Sequence, residues 1–313
     1  MAGPIDEEER FLVRIAWACE IEGITQAAAA ERFGVTRLRV NRALAEARRR
    51  GIVRVSINSA FGPCVEAEQQ LKARYGLSDV HVAPTPADAG AVQAIVGAAL
   101  GHYLTNCLSD PDVRLFGMAW GNTLNVATRF MTPLDRPDLE IVSVMGGVTR
   151  GSDLNSYEIA RRLASLCNAG HSYLTAPIYA GSTESRDVLM QQDVFASVID
   201  RIRAASAVAL AVGGMEQSLL LKDALPSGVT VQELKRAGAV GDILGYFLDS
   251  EGRPVDHPVN GLQVGIGLDD LAAIPNVILA GGGPHKTKII RAVMQLGCVD
   301  TLITDEQTAK ALL

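Results

Sequence analysis

The amino-acid sequence predicts an α/β protein in two parts, a small all-α winged helix-turn-helix domain followed by a Rossmann-like α/β domain. Two observations lead to this prediction. Residues 24–57 have the pattern of two short helices, a tight turn between them and an alternating strand. From about Pro63 onward, short apolar runs alternate with helical patterns, which is typical of a mainly parallel sheet covered on both faces. We therefore predict domains at residues 1–58 and 63–313.

The composition is that of a folded protein with a sizeable core. The chain has 313 residues, of which 48% are hydrophobic and 20% charged, and this excludes general disorder. No apolar run reaches the roughly 20 residues needed to span a bilayer, and the acidic start of the chain does not look like a secretory signal. The five cysteines are scattered without CxxC spacing, which favours reduced thiols in a cytoplasmic protein over disulfides or metal ligands.

Charge is unevenly distributed along the chain. Ten arginines and four glutamates lie between Arg10 and Arg54, a net charge of +6, whereas the whole chain carries −6. A basic N-terminal domain therefore precedes an acidic body. We expect a polyanionic partner to meet only the N-terminal domain.

Three helices and a wing strand are predicted in the N-terminal domain. Thr25 and Thr36 can cap the second and third helices, with a turn at Gly34 between them, and Gly51 ends the third helix. After Gly51, apolar and polar side chains alternate, as expected for a half-buried strand. The predicted elements are helices at residues 11–20, 25–32 and 36–50 and a wing strand containing Val53, Val55 and Ile57.

The third helix carries the residues that are expected to contact DNA. The N-terminal part of a recognition helix reaches base edges, and arginine is the commonest direct reader of guanine. Arginines further along are typical of phosphate contacts, while Leu38, Leu44 and Ala47 are expected to face the first two helices. The alternative is an ordinary surface helix with a solvated arginine face. It explains neither the predicted wing strand nor the change from a basic N-terminal domain to an acidic body. The predicted DNA-binding residues are Thr36, Arg37, Arg39, Val40, Arg42 and Arg49.

The larger domain is predicted to contain six buried strands with helices between them. The strands are expected at residues 80–82, 113–116, 141–144, 208–212, 263–266 and 277–280. The helices are expected at residues 91–107, 156–169, 193–204 and 286–296.

Four of these strands run into glycine-bearing turns, which begin at Gly117, Met145, Gly213 and Gly281. Parallel sheets bind ligands outside the carboxyl ends of their strands, where glycine lets backbone amides approach an anion. The same turns also occur where tight packing alone requires glycine. None matches the P-loop or the GxGxxG fingerprint, so nucleotide binding is not favoured.

A phosphate site is predicted at two of these turns. Gly121, Asn122 and Thr123 open a predicted helix and can cradle a phosphate through their amides and the threonine hydroxyl. Lys286 opens another helix and can supply the countercharge.

Asp242 lies in a further glycine-bearing segment, GAVGDI at residues 238–243. It can accept hydrogen bonds from ligand hydroxyls, act as a base in an enzyme, or serve only as a turn or cap. Asp305 and Glu306 look like the start of the final helix. The histidines show no metal-ligand spacing, and only His285 lies beside a candidate site, so neither a metal nor a cofactor is expected.

These segments together resemble the SorC family of bacterial sugar-responsive transcriptional regulators. The resemblance covers nearly the whole chain, and residues 25–53 are similar to the family's winged helix-turn-helix. The most specific segments are GMAWGNTL at residues 117–124, GAVGDI at residues 238–243, AGGGPHK at residues 280–286, and LITDE with a following Thr-Ala pair at residues 302–309.

The resemblance implies that the larger domain binds an effector and is related in fold to phosphosugar isomerases such as glucosamine-6-phosphate deaminase. It also implies a homo-oligomer, typically a tetramer. By this resemblance the phosphate of the ligand lies against Gly121, Asn122 and Thr123 with Lys286 nearby. The sugar is bordered by Gly146, Gly147 and Asp242.

Two functional hypotheses follow. The first is a DNA-binding regulator of carbohydrate or polyol catabolism, whose affinity for operator DNA changes when a sugar or sugar phosphate binds. The alternative is a phosphosugar isomerase or deaminase-type enzyme with a fused DNA-binding domain. The alternative needs an acid/base pair, for which Asp242 with Glu306 or His285 are the visible candidates. The absence of a clear His–carboxylate pair in the sequence favours the regulator.

Overall fold

A computed structural model of the chain describes residues 7–53, 62–148 and 155–313. The chain forms two compact units, Met1–Ser59 and Ala60–Leu313. None of the helices in the described ranges is long and apolar enough to cross a membrane.

Three helices build the N-terminal unit. They are α1 Glu7–Ala16, α2 Gln26–Arg32 and α3 Arg37–Arg49, and a π-helical turn at Trp17–Ile21 follows α1. Thr25 and Thr36 cap α2 and α3 as predicted, since their hydroxyl oxygens accept hydrogen bonds from Ala28 N (3.2 Å) and Arg39 N (3.3 Å). Gly34 has a φ of +65° in the turn between the two helices, a conformation that favours glycine.

The ends of this unit differ from the sequence prediction. Helix α1 begins four residues earlier than expected, because Glu7–Glu9 form an acidic first turn that suits a helix N-terminus. Of the predicted wing strand, Val55 and Ile57 lie outside the described residues, and Val53 lies in an irregular segment.

A seven-stranded parallel sheet forms the centre of the larger unit. Its strands are β1 Asp79–Ala83, β2 Leu115–Met118, β3 Glu140–Ser143, β4 Gly170–Ser172, β5 Ala207–Leu210, β9 Val277–Ala280 and β10 Thr301–Asp305. They lie in the order β1-β10-β9-β5-β2-β3-β4, and all neighbours are parallel. Every residue of β5, β9 and β10 is buried, so both faces of the centre are covered. The predicted α/β class is confirmed.

The remaining strands form a small antiparallel sheet, β6 Val212–Gly214, β7 Gly241–Ile243 and β8 Tyr246–Leu248. The predicted strand at residues 208–212 is therefore divided at Ala211 between two sheets. Strands of three residues are too short to show periodicity, which is why β4, β7 and β8 were not predicted. The five-residue strand β10 was also not predicted, because its end was interpreted only as the start of the final helix. Leu244 and Gly245 join β7 to β8 with φ values of +51° and +86°, the backbone of a tight two-residue hairpin.

One predicted strand was wrong. Residues 263–266 form only two isolated bridges, Met145 with Gly265 and Tyr179 with Gln263. Val264 and Ile266 are fully buried, so the apolar run is a core segment. Its backbone is interrupted by Gly265, whose φ of +156° breaks the regular extended path.

The helices of the larger unit connect these strands. The α-helices are α4 Gly62–Tyr75, α5 Val92–Ser109, α6 Asn122–Ala127, α7 Ser156–Cys167, α8 Thr183–Met190, α9 Asp193–Arg203, α10 Leu219–Asp223, α11 Val231–Arg236, α12 Leu268–Ala272, α13 Thr287–Leu296 and α14 Glu306–Leu312. Short 3₁₀ turns lie at Ala89–Ala91, Pro258–Gly261 and Pro284–Lys286. Lys286 thus lies in the 3₁₀ turn before α13, one residue ahead of the helix that it was expected to open.

Candidate functional site

A cavity of about 420 Å³ lies at the carboxyl ends of the central strands. The chain passes from β2 to β3 and β4 on one side and later to β5 on the other side of β2. The winding therefore reverses between β2 and β5, which is where open α/β sheets bind ligands. The lining of this switch-point cavity includes Gly90, Gln93, Trp120, Gly121, Asn122, Gly213, Gln217, Ser218, Lys222, Asp242, Gly282, His285 and Lys286.

Two buried ionisable groups line the switch-point cavity. Asp242 on β7 is 4% exposed and Lys286 is 9% exposed. Asp242 accepts a hydrogen bond from the Ser218 hydroxyl (3.2 Å). Burial raises the pKa of Asp242 to about 7, although Ser218, the nearby backbone of Gly245 and the charge of Lys286 oppose the shift. Burial also lowers the pKa of Lys286, opposed by Asp242.

The raised pKa of Asp242 predicts a pH-dependent stability. Between its ordinary value of 3.8 and about 7, the folded protein keeps a proton that the unfolded chain has released. The free energy of unfolding contributed by this group therefore falls as pH rises through that window and levels off above it. The side chain of the Asp242→Asn variant is neutral at every pH in this window. The free energy of unfolding of the variant minus that of the wild type should therefore rise by on the order of 2 kcal/mol between pH 5 and pH 8. Urea unfolding at both pH values measures the difference. A constant difference would contradict the assignment.

The loop after β2 contributes backbone and amide groups. Gly121 has a φ of +127°, and only the Ala211 methyl lies within 4 Å of where a Cβ would be. Its backbone is therefore open to the cavity. The Asn122 side chain donates to Gln93 Oε1 (2.6 Å) on α5. Gln93 was not singled out from the sequence, because α5 precedes β2 and nothing local links the two residues.

Several glycines around the cavity allow close packing. A Cβ at Gly213 would lie 2.2 Å from Asp242 Oδ1, and one at Gly214 would lie 2.4 Å from the His285 carbonyl oxygen. A Cβ at Gly282 would lie 2.4 Å from Asp305 Oδ1. Larger residues at these positions would displace the two carboxylates or the His285 carbonyl, so the glycines permit the geometry of the cavity.

Three residues that were expected at the ligand do not line the cavity. Thr123 is 2% exposed, so its hydroxyl lies within the core. A Cβ at Gly146 would lie 2.4 Å from the Pro177 carbonyl oxygen, and one at Gly147 would lie 2.6 Å from Asn155 Oδ1. Gly146 and Gly147 follow β3, on the far side of β2 from the switch point, and they pack against the segment after β4.

This packing role makes a testable prediction. Gly146→Ala should lower the free energy of unfolding by about 1–3 kcal/mol, because the new methyl group would collide with backbone. The control is Gly181→Ala, where nothing lies within 4 Å of the added methyl group. Urea unfolding compares the two variants. Equal stability of both would show that the segment after β4 is not tightly packed.

The N-terminal unit presents the predicted recognition helix. Thr36, Arg37, Arg39 and Arg42 are all exposed. The Arg39 guanidinium lies over the Phe11 ring, 5.0 Å from its centroid, and its backbone N–H bonds the Thr36 cap. The first turns of α3 therefore carry two exposed arginines, Arg37 and Arg42. A third arginine, Arg39, packs its guanidinium on the Phe11 ring.

Val40 was wrongly placed on the DNA-binding face. It is fully buried with Ala43, Leu44 and Ala47, whereas Leu38 is 59% exposed. The expected roles of Val40 and Leu38 are therefore exchanged. The spacing 40, 43, 44 and 47 is the repeat of one helix face, so the signal was present in the sequence.

The last arginines of α3 are ion-paired. Arg49 and Arg50 bind Glu46, and Arg48 binds Glu20 at 2.8 Å. Hydrogen bonds from Arg49 and Arg50 lower the pKa of Glu46 to about 2. Glu46 therefore neutralises part of the positive charge at the end of α3.

The residues required by the enzyme alternative are only partly brought together. Asp242 and His285 line the cavity, and burial lowers the pKa of His285. Glu306 instead forms an ion pair with Lys310 in the first turns of α14. Among the described residues, no group of three or more His, Cys, Asp or Glu side chains could hold a metal ion.

A helix-turn-helix unit joined to an α/β unit with a polar cavity at its switch point defines a ligand-responsive transcriptional regulator. The model of the sugar-binding domain family matches residues 59–313. The transcriptional regulator LsrR of Escherichia coli (strain K12) is 32% identical over 310 residues, which is 98% of this chain and 95% of LsrR. The erythritol catabolism regulatory protein EryD of Brucella abortus is 29% identical over 309 residues, 98% of each chain.

Comparison with solved structures gives the same architecture. The full-length sorbitol operon regulator SorC from Klebsiella pneumoniae aligns with a TM-score of 0.72 at 22% identity, covering 97% of this chain and 99% of SorC. The chain belongs to the sugar-binding domain family of transcriptional regulators. The resemblance inferred from the sequence is confirmed.

Proposed function

We propose that this protein regulates carbohydrate or polyol catabolism by binding operator DNA, and that a sugar or sugar phosphate in the switch-point cavity controls this binding. The observation that carries the proposal is that a buried lysine and a buried carboxylate line the same cavity. The Lys286 ammonium suits a phosphate group. Asp242, held by Ser218, suits the hydroxyl groups of a sugar or polyol.

The phosphate is proposed to lie between Lys286 and the backbone at Gly121 and Asn122. Helix α6 begins at Asn122, so its first amides have no partners within the helix. The positive φ of Gly121 lets the phosphate approach the backbone closely. Thr123 is left out of the proposed site, because it is buried and does not line the cavity. Lys222 also lines the cavity and adds positive charge.

The hydroxyl groups of the effector are proposed to face Asp242 and the Asn122–Gln93 pair. The Ser218 hydroxyl holds the Asp242 carboxylate in place. Gly146 and Gly147 have no part in this arrangement. Burying a carboxylate among fixed donors costs stability, and that cost is recovered when a ligand supplies further hydrogen bonds.

The effector acts by binding one arrangement of the protein more tightly than another. A difference of about 1–3 kcal/mol between the two arrangements changes operator affinity about 5- to 150-fold. Dimeric helix-turn-helix proteins read two half-sites that lie about one turn of DNA apart. We propose a homo-oligomer, a tetramer by the family resemblance, in which the effector sets the spacing of the recognition helices.

The names of the relatives suggest the first ligands to test. EryD is named for erythritol catabolism and SorC for the sorbitol operon, so polyols and their phosphates are the first choice. We therefore select erythritol, erythritol 4-phosphate, sorbitol and sorbitol 6-phosphate as probes.

Fluorescence anisotropy with the DNA upstream of the protein's own gene tests the proposal. Binding should weaken steeply as salt rises, because arginine–phosphate contacts release counterions. One of the phosphorylated probes should change the affinity and raise the melting temperature. No salt-dependent binding would contradict the DNA-binding half. If mass spectrometry detects turnover of a bound probe, the protein is instead an enzyme.

A further inference from the structure

Asp305 is a fully buried carboxylate behind the switch-point cavity, at the junction of β10 and α14. It accepts hydrogen bonds from Gly283 N (2.9 Å), Thr85 Oγ1 (2.9 Å) and Thr308 Oγ1 (2.5 Å). It also caps α14 by accepting from the amides of Gln307 (3.1 Å) and Thr308 (3.2 Å). Five donors exceed what an N-cap requires, so capping alone does not explain this side chain.

One side of Asp305 holds the loop that presents Lys286. Gly283 donates its amide to both Asp305 Oδ1 and Thr308 Oγ1 (2.8 Å), and its carbonyl oxygen accepts from Lys286 N (3.0 Å). Gly283 has a φ of +92°, a conformation that favours glycine. Two hydrogen bonds therefore connect the Asp305 carboxylate to the backbone of Lys286.

The other side of Asp305 leads to α4. Helix α14, which Asp305 caps, packs against α4. The Tyr75 hydroxyl at the end of α4 donates to the Leu312 carbonyl oxygen (2.9 Å), and Arg74 donates to the Leu313 carbonyl oxygen. Helix α4 is the first described element after the N-terminal unit. It also binds β1, because Glu68 accepts from Val82 N (2.8 Å).

We propose that Asp305 is a positioning residue with two tasks. It holds Gly283 so that Lys286 faces the switch-point cavity, and it couples that loop through α14 to α4, the helix that the chain enters from the DNA-binding unit. The regulatory meaning of this coupling rests on the proposed function. An effector that moves Lys286 towards itself would also move Gly283. Because Asp305 is bonded to both Gly283 and the N-terminus of α14, this movement would be transmitted to α14.

The pKa of Asp305 agrees with an ionised, multiply bonded carboxylate. Burial alone would raise this pKa, but the hydrogen bonds from Thr308, Gly283 and Thr85 outweigh it, and the net pKa is lowered. The charge is needed because a neutral amide in its place could accept only at one oxygen. Asp305→Asn would therefore lose the hydrogen bonds at one of the two oxygens, either those from Gly283 and the Thr308 hydroxyl or those from Thr85 and the first amides of α14.

Hydrogen–deuterium exchange of the full-length protein, without DNA or effector, tests the coupling. Asp305→Asn and the milder Thr308→Val should each speed exchange about fivefold or more both at residues 281–286 and in α4, a typical factor for linked sites. Helix α7, at the other side of the sheet, should be unchanged and reports global destabilisation. The matched control is Asp300→Asn at the opposite end of β10, where Asp300 bonds Val277 N (2.8 Å); it should leave residues 281–286 and α4 unchanged.

Coupling is reciprocal, so a change at α4 must reach the loop. Tyr75→Phe removes the bond to Leu312 and should speed exchange at Gly283–Lys286. The proposal is overturned if the loop loosens in Thr308→Val while α4 exchanges as in the wild type, or if Tyr75→Phe leaves the loop unchanged. These readouts do not involve operator or effector, so their failure would leave the proposed function intact. If the protein did not bind DNA or effector, the coupling would have no regulatory meaning. The coupling itself could still be measured by hydrogen–deuterium exchange.

Discussion

Arg42→Ala is expected to weaken operator binding about 5- to 150-fold. This factor corresponds to about 1–3 kcal/mol, the energy that one good contact to a base contributes. Arg42 is exposed near the start of α3 and forms no ion pair with any residue in the described part of the N-terminal unit. Its guanidinium is therefore available to DNA. Arg49 is exposed as well but is held by two hydrogen bonds to Glu46, of 2.6 and 2.8 Å. Arg49→Ala should cost less, because Arg49 must leave Glu46 to reach DNA.

Anisotropy titrations at several salt concentrations separate the kinds of contact. Loss of a phosphate contact lowers the slope of log affinity against log salt by about 0.9 and weakens binding to all sequences alike. Loss of a base contact relaxes discrimination at one base pair of the operator. Arg161→Ala is the control, because Arg161 lies on α7 in the other unit and pairs with Glu158 at 2.9 Å. If Arg42→Ala binds operator as tightly as Arg161→Ala does, α3 is not the recognition helix.

Lys286→Met is expected to abolish the effector response while the protein stays folded. A charge-assisted hydrogen bond contributes about 1.5–3 kcal/mol, so losing it should weaken binding of a phosphorylated effector roughly 10- to 150-fold. Stability should be retained, because burying a cation is costly and methionine fills a similar volume. Without the lysine charge, the pKa of Asp242 should rise further, since Lys286 now opposes its shift.

The matched control for Lys286 is Lys288→Met. Lys288 is exposed two residues further along, on α13. Thermal-shift assays with erythritol 4-phosphate and sorbitol 6-phosphate should show no response for Lys286→Met and a wild-type response for Lys288→Met. Operator binding in the absence of effector should be the same in both variants. An undiminished response in Lys286→Met would show that the phosphate of the effector does not bind this lysine.

Much of the N-terminal unit was predictable because its signals are local. The hydroxyls of Thr25 and Thr36 reach amides three residues ahead, so the caps of α2 and α3 follow from the sequence alone. The same locality allowed an error at Val40. Leu38 is larger than Val40 and nearer the start of the helix. The buried face of α3, however, includes Val40 and not Leu38.

The candidate site was predictable only in outline. Glycines after successive parallel strands correctly indicated the edge of the sheet where the cavity lies, since parallel strands all end at that edge. They did not show which turns face the cavity. Gly146 and Gly147 pack against backbone after β4, whereas Gly121 and Gly213 line the cavity, and that difference depends on strand order.

The sequence by itself determined the helix-turn-helix, the alternation of strands and helices, and the family, because each is encoded in residues that are neighbours along the chain. Only the tertiary structure decided which distant residues meet. Gln93 comes from α5, Ser218 from the start of α10, and Asp305 from the end of β10. Each reaches the cavity or its supporting loop through a hydrogen bond that spans between 22 and 29 residues of the chain. Burial then determines their chemistry, since the pKa of Asp242 depends on how much water the surrounding core excludes.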